Sequence, residues 1–385
     1  MRYIDEFRDG DLAVGLRDAI ARAVAKGGGR EYRFMEFCGG HTHAISRYGI
    51  EDLIPSRIRL IHGPGCPVCV LPVGRIDQAI RLAVGHDVTV CSYGDTLRVP
   101  ASDRLSLLKA KGRGGDVRMV YSPLDAVRIA ADRPQRQVAF LAIGFETTTA
   151  PTAVAIARAR ALGLRNFSIL SNHVLTPPAM HAILTAPADE AVALDGFIGP
   201  AHVSTVIGSA PYEPFCETYG KPVVIAGFEP LDVMRAIEML VRQVNEGRAQ
   251  VENEFTRAVT REGNATAKTL MDDVFERRET FEWRGLGTVP HSALRLRQEY
   301  AEYDAERRYD VPYVPVPDHQ GCECAAILRG QKHPQECRIF GTACSPDSPV
   351  GSCMVSAEGA CAAHFMYGRF RTQEVPVDLA APVRG

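Results

Sequence analysis

Tyr32-Arg33-Phe34-Met35-Glu36-Phe37 runs directly into Cys38-Gly39-Gly40-His41-Thr42-His43. The first six residues read as a β-strand. The next six place one thiol and two imidazoles on the turn that ends it. Gly39 and Gly40 let the backbone turn sharply and leave space beside the sulfur. Soft sulfur with imidazole is a donor set that suits iron, copper or zinc. No second cysteine adjoins Cys38, so a metal held there is expected to be open on several sides, as in a site that receives a metal and passes it on. The plainer alternative is a buried cysteine beside two loop histidines.

Working outward, short apolar runs alternate with helical patterns to about residue 240, which indicates βαβ units and a parallel sheet. Strands are expected at Tyr32–Phe37, Ile58–Ile61, Val88–Cys91, Val117–Tyr121, Val138–Ile143, Phe167–Leu170, Gly196–Ile198 and Val223–Ile225. They fall into two sets of four. Pro123-Leu124-Asp125 recurs as Pro230-Leu231-Asp232, 107 positions on. The same shift carries Arg128 onto Arg235, Thr42 onto Thr149, and the strand before Cys38 onto the strand before Phe145. The expected fold class is α/β: two similar parallel-sheet domains from an internal duplication, residues 28–134 and 135–241. Ligands on such sheets bind beyond the carboxyl ends of the strands, so the two domains are expected to face each other across a cleft lined by post-strand loops.

Ahead of these domains, residues 4–26 have a helical pattern closed by Gly27-Gly28-Gly29. Residues 1–27 are expected to pack on the C-terminal domain. Residues 242–385 are expected to form a mainly helical, cysteine-rich [4Fe-4S] domain. Within it, Glu252–Arg261 and Ala267–Arg278 continue a helical spacing. Val311-Pro312-Tyr313-Val314-Pro315-Val316-Pro317 reads as an extended linker, because each proline biases its predecessor away from helix. The last dozen residues read as a loose or docking extension.

Composition narrows the function. With 44 basic against 46 acidic residues, nothing favours nucleic acid or an anionic membrane as partner. The charged N-terminus lacks the apolar core of a signal peptide, and no apolar run is long enough to span a bilayer, so a cytoplasmic location is expected. Eleven cysteines in a reducing compartment point to metal or redox chemistry more than to structural bridges.

Gly63-Pro64-Gly65-Cys66-Pro67-Val68-Cys69 follows the second strand. Its C-x-x-C turn suits a reversible disulfide; half a zinc site and a structural turn are the alternatives. Adjacent loops place Cys66 and Cys69 in one cleft with Cys38, with His41 and His43 at its edge. Gly144-Phe145-Glu146-Thr147-Thr148-Thr149 holds the matching place in the second half. It is either ordinary helix capping or a polar wall able to bind an anion. His173 and His202, on corresponding loops, read as structural histidines, and Cys91 and Cys216 as packing residues. Six cysteines crowd the tail: Cys322, Cys324, Cys337, Cys344, Cys353 and Cys361. A [4Fe-4S] cube takes four thiolates. The tail therefore suits four ligands plus a redox-active pair, with zinc as the alternative.

Together these stretches closely resemble the HypD family of hydrogenase maturation proteins. The resemblance rests on Phe37 to His43, Gly63 to Cys69, Gly144 to Thr148, Cys344-Ser345-Pro346, Pro349 to Ser356 and Glu358 to Ala363. It implies a scaffold on which the Fe(CN)2CO group of [NiFe]-hydrogenase is assembled. It further implies a small HypC-type chaperone as partner, cyanide from HypE working with HypF, and the hydrogenase large subunit as an indirect recipient. On the family pattern Cys38 is the iron thiolate with His41 beside it, and Cys66 and Cys69 are a dithiol. Cys322, Cys337, Cys344 and Cys361 bind the cube, and Cys324 pairs with Cys353. Electrons are then expected to pass from the cube to Cys324/Cys353, to Cys66/Cys69, and to the iron. Two other functions are expected to compete: an iron–sulfur thiol-disulfide reductase acting on a protein substrate, and a zinc-stabilised binding module.

Overall fold

The computed structural model describes residues 4–368, so the extension expected over the last dozen residues lies outside them. All eight expected strands form: β1 Tyr32–Glu36, β2 Ile58–His62, β3 Thr89–Ser92, β4 Val117–Met119, β5 Val138–Gly144, β6 Phe167–His173, β7 Gly196–Pro200 and β8 Val223–Ala226. Every residue of β5 and β6 is buried, as in strands covered on both faces by crossover helices. The class is α/β with parallel sheets. A ninth strand, β9 Val251–Asn253, was not foreseen.

The sheet orders are β2-β1-β7-β8-β9 and β4-β3-β5-β6. Each sheet takes strands from both halves of the chain, joined centrally by the parallel pairs β1–β7 and β3–β5. The expected division at residue 134 is therefore not the division between sheets. The chain lays down β1 and β2, crosses to the second sheet for β3 to β6, and returns. Matching β1–β4 with β5–β8 turns β2-β1-β7-β8 into β6-β5-β3-β4, the second sheet read from its other edge. Apolar runs specify strands, but which strand lies alongside depends on where each crossover lands, and periodicity carries no record of that.

The N-terminal helix spans Gly10–Lys26, with the Asp9 carboxylate accepting from the Asp11 and Leu12 amides. Its Ile20 and Val24 bury against the helix Pro230–Asn245, in one core with Val233, Ile237 and Leu240. Asn245 ties the contact, accepting from the Tyr32 hydroxyl at 2.5 Å and donating to the Ala23 carbonyl at 2.7 Å. The helix thus packs on an element that begins in the second half of the α/β body and ends at residue 245, just inside the expected C-terminal domain.

Residues 242–310 also depart from the helical expectation. Glu252–Arg261 is strand β9 and a loop, and the second helix, Ala265–Val274, stops where β10 begins. Strands β10 Phe275–Arg277, β11 Thr280–Trp283, β12 Gly287–Pro290 and β13 Leu294–Leu296 pair antiparallel as β10–β13 and β11–β12. Phe275, Leu294 and Leu296 enter the core of the second sheet, and this burial overrides the local helical spacing. Residues 311–319 have no regular element, in keeping with a linker. The tail folds into short turns and packs on the carboxyl end of the first sheet. Cys324, Cys353 and Cys361 share a core with Met35, Ile61 and Cys69. Among the described residues, no helix is long and apolar enough to cross a membrane.

Candidate metal and thiol centre

The centre forms where β1, β2, β7 and β8 end. Cys38 caps the helix Gly39–Tyr48 directly after β1. Glu36, the last residue of that strand, is a fully buried carboxylate. It accepts the Cys38 amide at 3.0 Å on Oε2, and on Oε1 both the Thr42 hydroxyl and His62 Nδ1, the latter at 3.0 Å. A buried charge is costly unless hydrogen-bonded, and here three donors satisfy it while fixing the loop that carries Cys38.

The Cys38 sulfur lies 3.6 Å from His202 Nδ1. His202, read from sequence as structural, is exposed and stacks on Phe228 with ring centroids 4.2 Å apart. Partial desolvation, then the neighbouring His41, lower its pKa. Cys38 itself is only 5% exposed, so the expected open setting gives way to a sulfur covered by His202. Burial first, and the Glu358 carboxylate second, push its thiol up to about 12. His41 is not at an edge but fully buried. Its Nε2 reaches the Ala226 and Gly227 carbonyls at 2.9 and 3.1 Å, while its Nδ1 is a buried nitrogen with no hydrogen-bond partner. Burial lowers its pKa and keeps the ring neutral. His43 lies against the tail, 3.4 Å from the Ala357 carbonyl.

The C-x-x-C loop is the direct neighbour. The Gly39 amide donates to the Gly65 carbonyl at 3.2 Å, and Cys66 and Cys69 are joined as a disulfide. The tail closes over that disulfide. The Ser352 hydroxyl donates to the Cys69 carbonyl at 2.8 Å. Gly359 is squeezed between the Cys353 carbonyl and the Cys69 sulfur, where a Cβ would come within 3.0 Å of the sulfur. The three thiol positions expected in one region are therefore together, and Cys353 stands beside them.

Five of the six tail cysteines, Cys322, Cys324, Cys337, Cys344 and Cys361, line one small cavity. Cys324 lies close enough to Cys322, Cys353 and Cys361 for the four thiols to shift one another's titration. The nearby Cys324 lowers the Cys322 thiol pKa, and the Arg284 guanidinium adds to this. Gly351 lies against the Cys322 and Cys324 sulfurs, where any side chain would collide. Converging sulfurs, all buried except the half-buried Cys322, with a small-residue backbone beside them fit an iron–sulfur cube, for which thiolates are the natural ligands.

Gly144 to Thr149 is not a wall of this centre. The Thr148 and Thr149 hydroxyls donate to backbone carbonyls of their own turn, including Phe145. Glu146 is buried and accepts the Thr176 amide and hydroxyl at 2.9 and 3.1 Å. His173 is fully buried beside Thr152, and Cys91 and Cys216 pack within the α/β body. Sequence reading gave no site role to Glu36, His62 or Glu358, and took His202 as structural. A glutamate following Phe34 and Met35 at the end of a strand was the available signal for Glu36. The other three come from remote segments.

A family model named HypD, described as "Hydrogenase formation hypA family", matches residues 11–368. The chain is 63% identical over 383 residues to a hydrogenase maturation factor HypD of Cupriavidus necator, covering 99% of this chain and 100% of that one. It is 62% identical to a hydrogenase expression/formation protein HupD of Azotobacter chroococcum, covering 98% and 100%. It is 40% identical to the HypD of Escherichia coli, covering 95% and 98%. This chain belongs to the HypD family, and its role is in hydrogenase maturation.

Proposed function

We propose that the chain is the scaffold on which the Fe(CN)2CO group of [NiFe]-hydrogenase is assembled, with the iron as cargo on Cys38. The supporting observation is the field at that sulfur. Glu36 and Glu358 both disfavour an isolated thiolate there. The same carboxylates favour a cation, so a metal ion displaces the thiol proton and holds the thiolate. His41 Nδ1, buried and unpartnered, and His202 Nδ1 are the nearby neutral donors. A small HypC-type chaperone would supply the second thiolate, entering past the exposed ring of His202. HypE, with HypF, would supply cyanide, and the finished group would reach the hydrogenase large subunit indirectly.

Cys322, Cys337, Cys344 and Cys361 would hold a [4Fe-4S] cluster. When bound, it supplies one-electron reducing equivalents. Cys324 and Cys353 form the dithiol next to it. Thiol–disulfide exchange with Cys66–Cys69 makes one S–S bond on the tail pair and breaks one on the loop. Two electrons and two protons pass to the loop, and Gly359 is the narrow contact that makes the approach close.

Infrared spectroscopy on anaerobically isolated protein with its small partner tests this reading. Bands of iron-bound cyanide and carbon monoxide are expected in the wild type. They should disappear in Cys38→Ala with the cluster absorption unchanged. Cys324→Ala should keep the cluster but block assembly. Bands that persist in Cys38→Ala would overturn the scaffold reading.

The packing of Ser352 and Gly359 on the Cys66–Cys69 disulfide also suits an iron–sulfur thiol-disulfide reductase. Such an enzyme would turn over a dithiol protein with no iron at Cys38, and Cys38→Ala would leave that turnover intact.

A further inference from the structure

Behind the Cys38 loop three histidines from distant segments converge: His62 at the end of β2, His333, and His364. One ring nitrogen from each lies within 4.8 Å of the others. His62 Nε2 and His364 Nε2 are 3.0 Å apart. The rings of His333 and His364 are 4.6 Å apart, and those of His62 and His333 are 5.8 Å apart. His62 and His364 are 5% and 4% exposed.

At 3.0 Å the two Nε2 atoms share one proton, and a metal ion that displaces it gains both lone pairs, with a His333 nitrogen beside them. Glu36 fixes which nitrogen of His62 is available. It accepts from His62 Nδ1, so that nitrogen carries the proton and Nε2 directs a lone pair into the group. A carboxylate holding the far nitrogen of a ligand histidine is the usual outer support of a metal site. A further carboxylate stands at the mouth, with Glu51 Oε1 3.8 Å from His333 Nε2.

We infer that His62, His333 and His364 form a site for one divalent first-row transition-metal ion, with the Glu51 carboxylate, 3.8 Å from His333 Nε2, available to close on it as the fourth ligand through oxygen. Three imidazoles and a carboxylate suit Zn2+ or Fe2+ bound without thiolate. The site is separate from the Cys38 cargo position and from the tail cysteines, yet Glu36 touches both centres. A metal there would clamp the tail, through residues 333 and 364, onto the end of β2. The orientation of the Cys38 amide would then depend on the same carboxylate that orients a metal ligand.

The test is metal binding by the full-length, cluster-loaded protein after brief chelation, with Co2+ as the optical probe and Zn2+ and Fe2+ as competitors. In the Cys38→Ala background, which removes the cargo thiolate, one equivalent of Co2+ is expected, giving d–d bands without thiolate-to-metal charge transfer. His333→Ala and His364→Ala should abolish those bands, and Glu36→Gln should weaken binding about 10- to 100-fold. Adding Cys324→Ala should leave them unchanged, and because the background lacks Cys38 this result is separate from the fate of the scaffold reading. Competition by Zn2+ or by Fe2+ identifies the ion. His333 is only half-buried, so its variant should keep the wild-type circular dichroism spectrum. A folded Cys38→Ala protein that binds no Co2+ in this mode, or a folded variant that also carries His333→Ala and binds it equally well, overturns the inference.

Discussion

Glu146 shows how one side chain can oppose the fold that holds it. Burial raises its pKa from 4.5 to about 7, against the lowering effect of the Thr176 hydrogen bonds. A raised carboxyl pKa means that the folded state binds more protons than the unfolded state between those values. Stability contributed by the neutral acid is present below pH 4.5 and is lost as pH rises through 7, to a total of about 3 kcal/mol. Glu146→Gln keeps the volume and the acceptor for the Thr176 amide. It should melt higher than wild type at pH 8, with the gap closing towards pH 5. A melting difference independent of pH would mean that charge is not the cause. At this scale the sequence was informative about types and poor about surroundings. Cys38, His41 and the C-x-x-C pair were legible because the chain writes them consecutively. The burial of Cys38 and the approach of His202 were not, since residues 38 and 202 meet only through the pairing of β1 with β7.

Among elements, the helix Gly10–Lys26 lies along the helix Pro230–Asn245, and only its Ile20 and Val24 are buried there. Ile20 is fully buried on the helix Pro230–Asn245, whereas Leu12, on the same helix, is 57% exposed. Ile20→Ala should cost about 3 kcal/mol through lost burial and the cavity left behind. Leu12→Ala should change stability by less than about 0.5 kcal/mol, and Asp9→Ala should cost about 1 kcal/mol through the lost cap. Denaturant unfolding of the three variants checks the ranking, and equal losses for Ile20→Ala and Leu12→Ala would contradict the packing described. The eight parallel strands were readable because apolar residues dominate them and helical patterns separate them, while β9 to β13 are only three or four residues long. Glu252 to Arg261 shows helical spacing, but over so few turns the same spacing fits a three-residue strand followed by a loop, and packing decides.

Across the molecule, both sheets depend on central pairs that join the two halves of the chain. Residues 1–134 expressed alone should lack one of the two neighbours of β1 and of β3, and residues 135–385 one of the two neighbours of β5 and of β7. Neither piece should give a cooperative melt, whereas the two refolded together should recover one. A well-folded isolated half would refute the interdependence. The 107-position correspondence was legible in the sequence, and the exchange of strands between sheets was not. Similar spacing of motifs says nothing of partnership, which is settled by competition among all edges once the whole chain is present. The same is true of His62, His333 and His364, which no local pattern connects. The β1–β7 pair also bears on how the protein is made. Gly196, the partner of Phe34, leaves the ribosome long after it. At the usual pace of synthesis that delay is on the order of ten seconds. Throughout it, one flank of the nascent β1–β2 ribbon has its amides and carbonyls unmatched and open to wrong mates. Production should therefore depend on holding chaperones more heavily than a chain of this size with sequentially completed sheets.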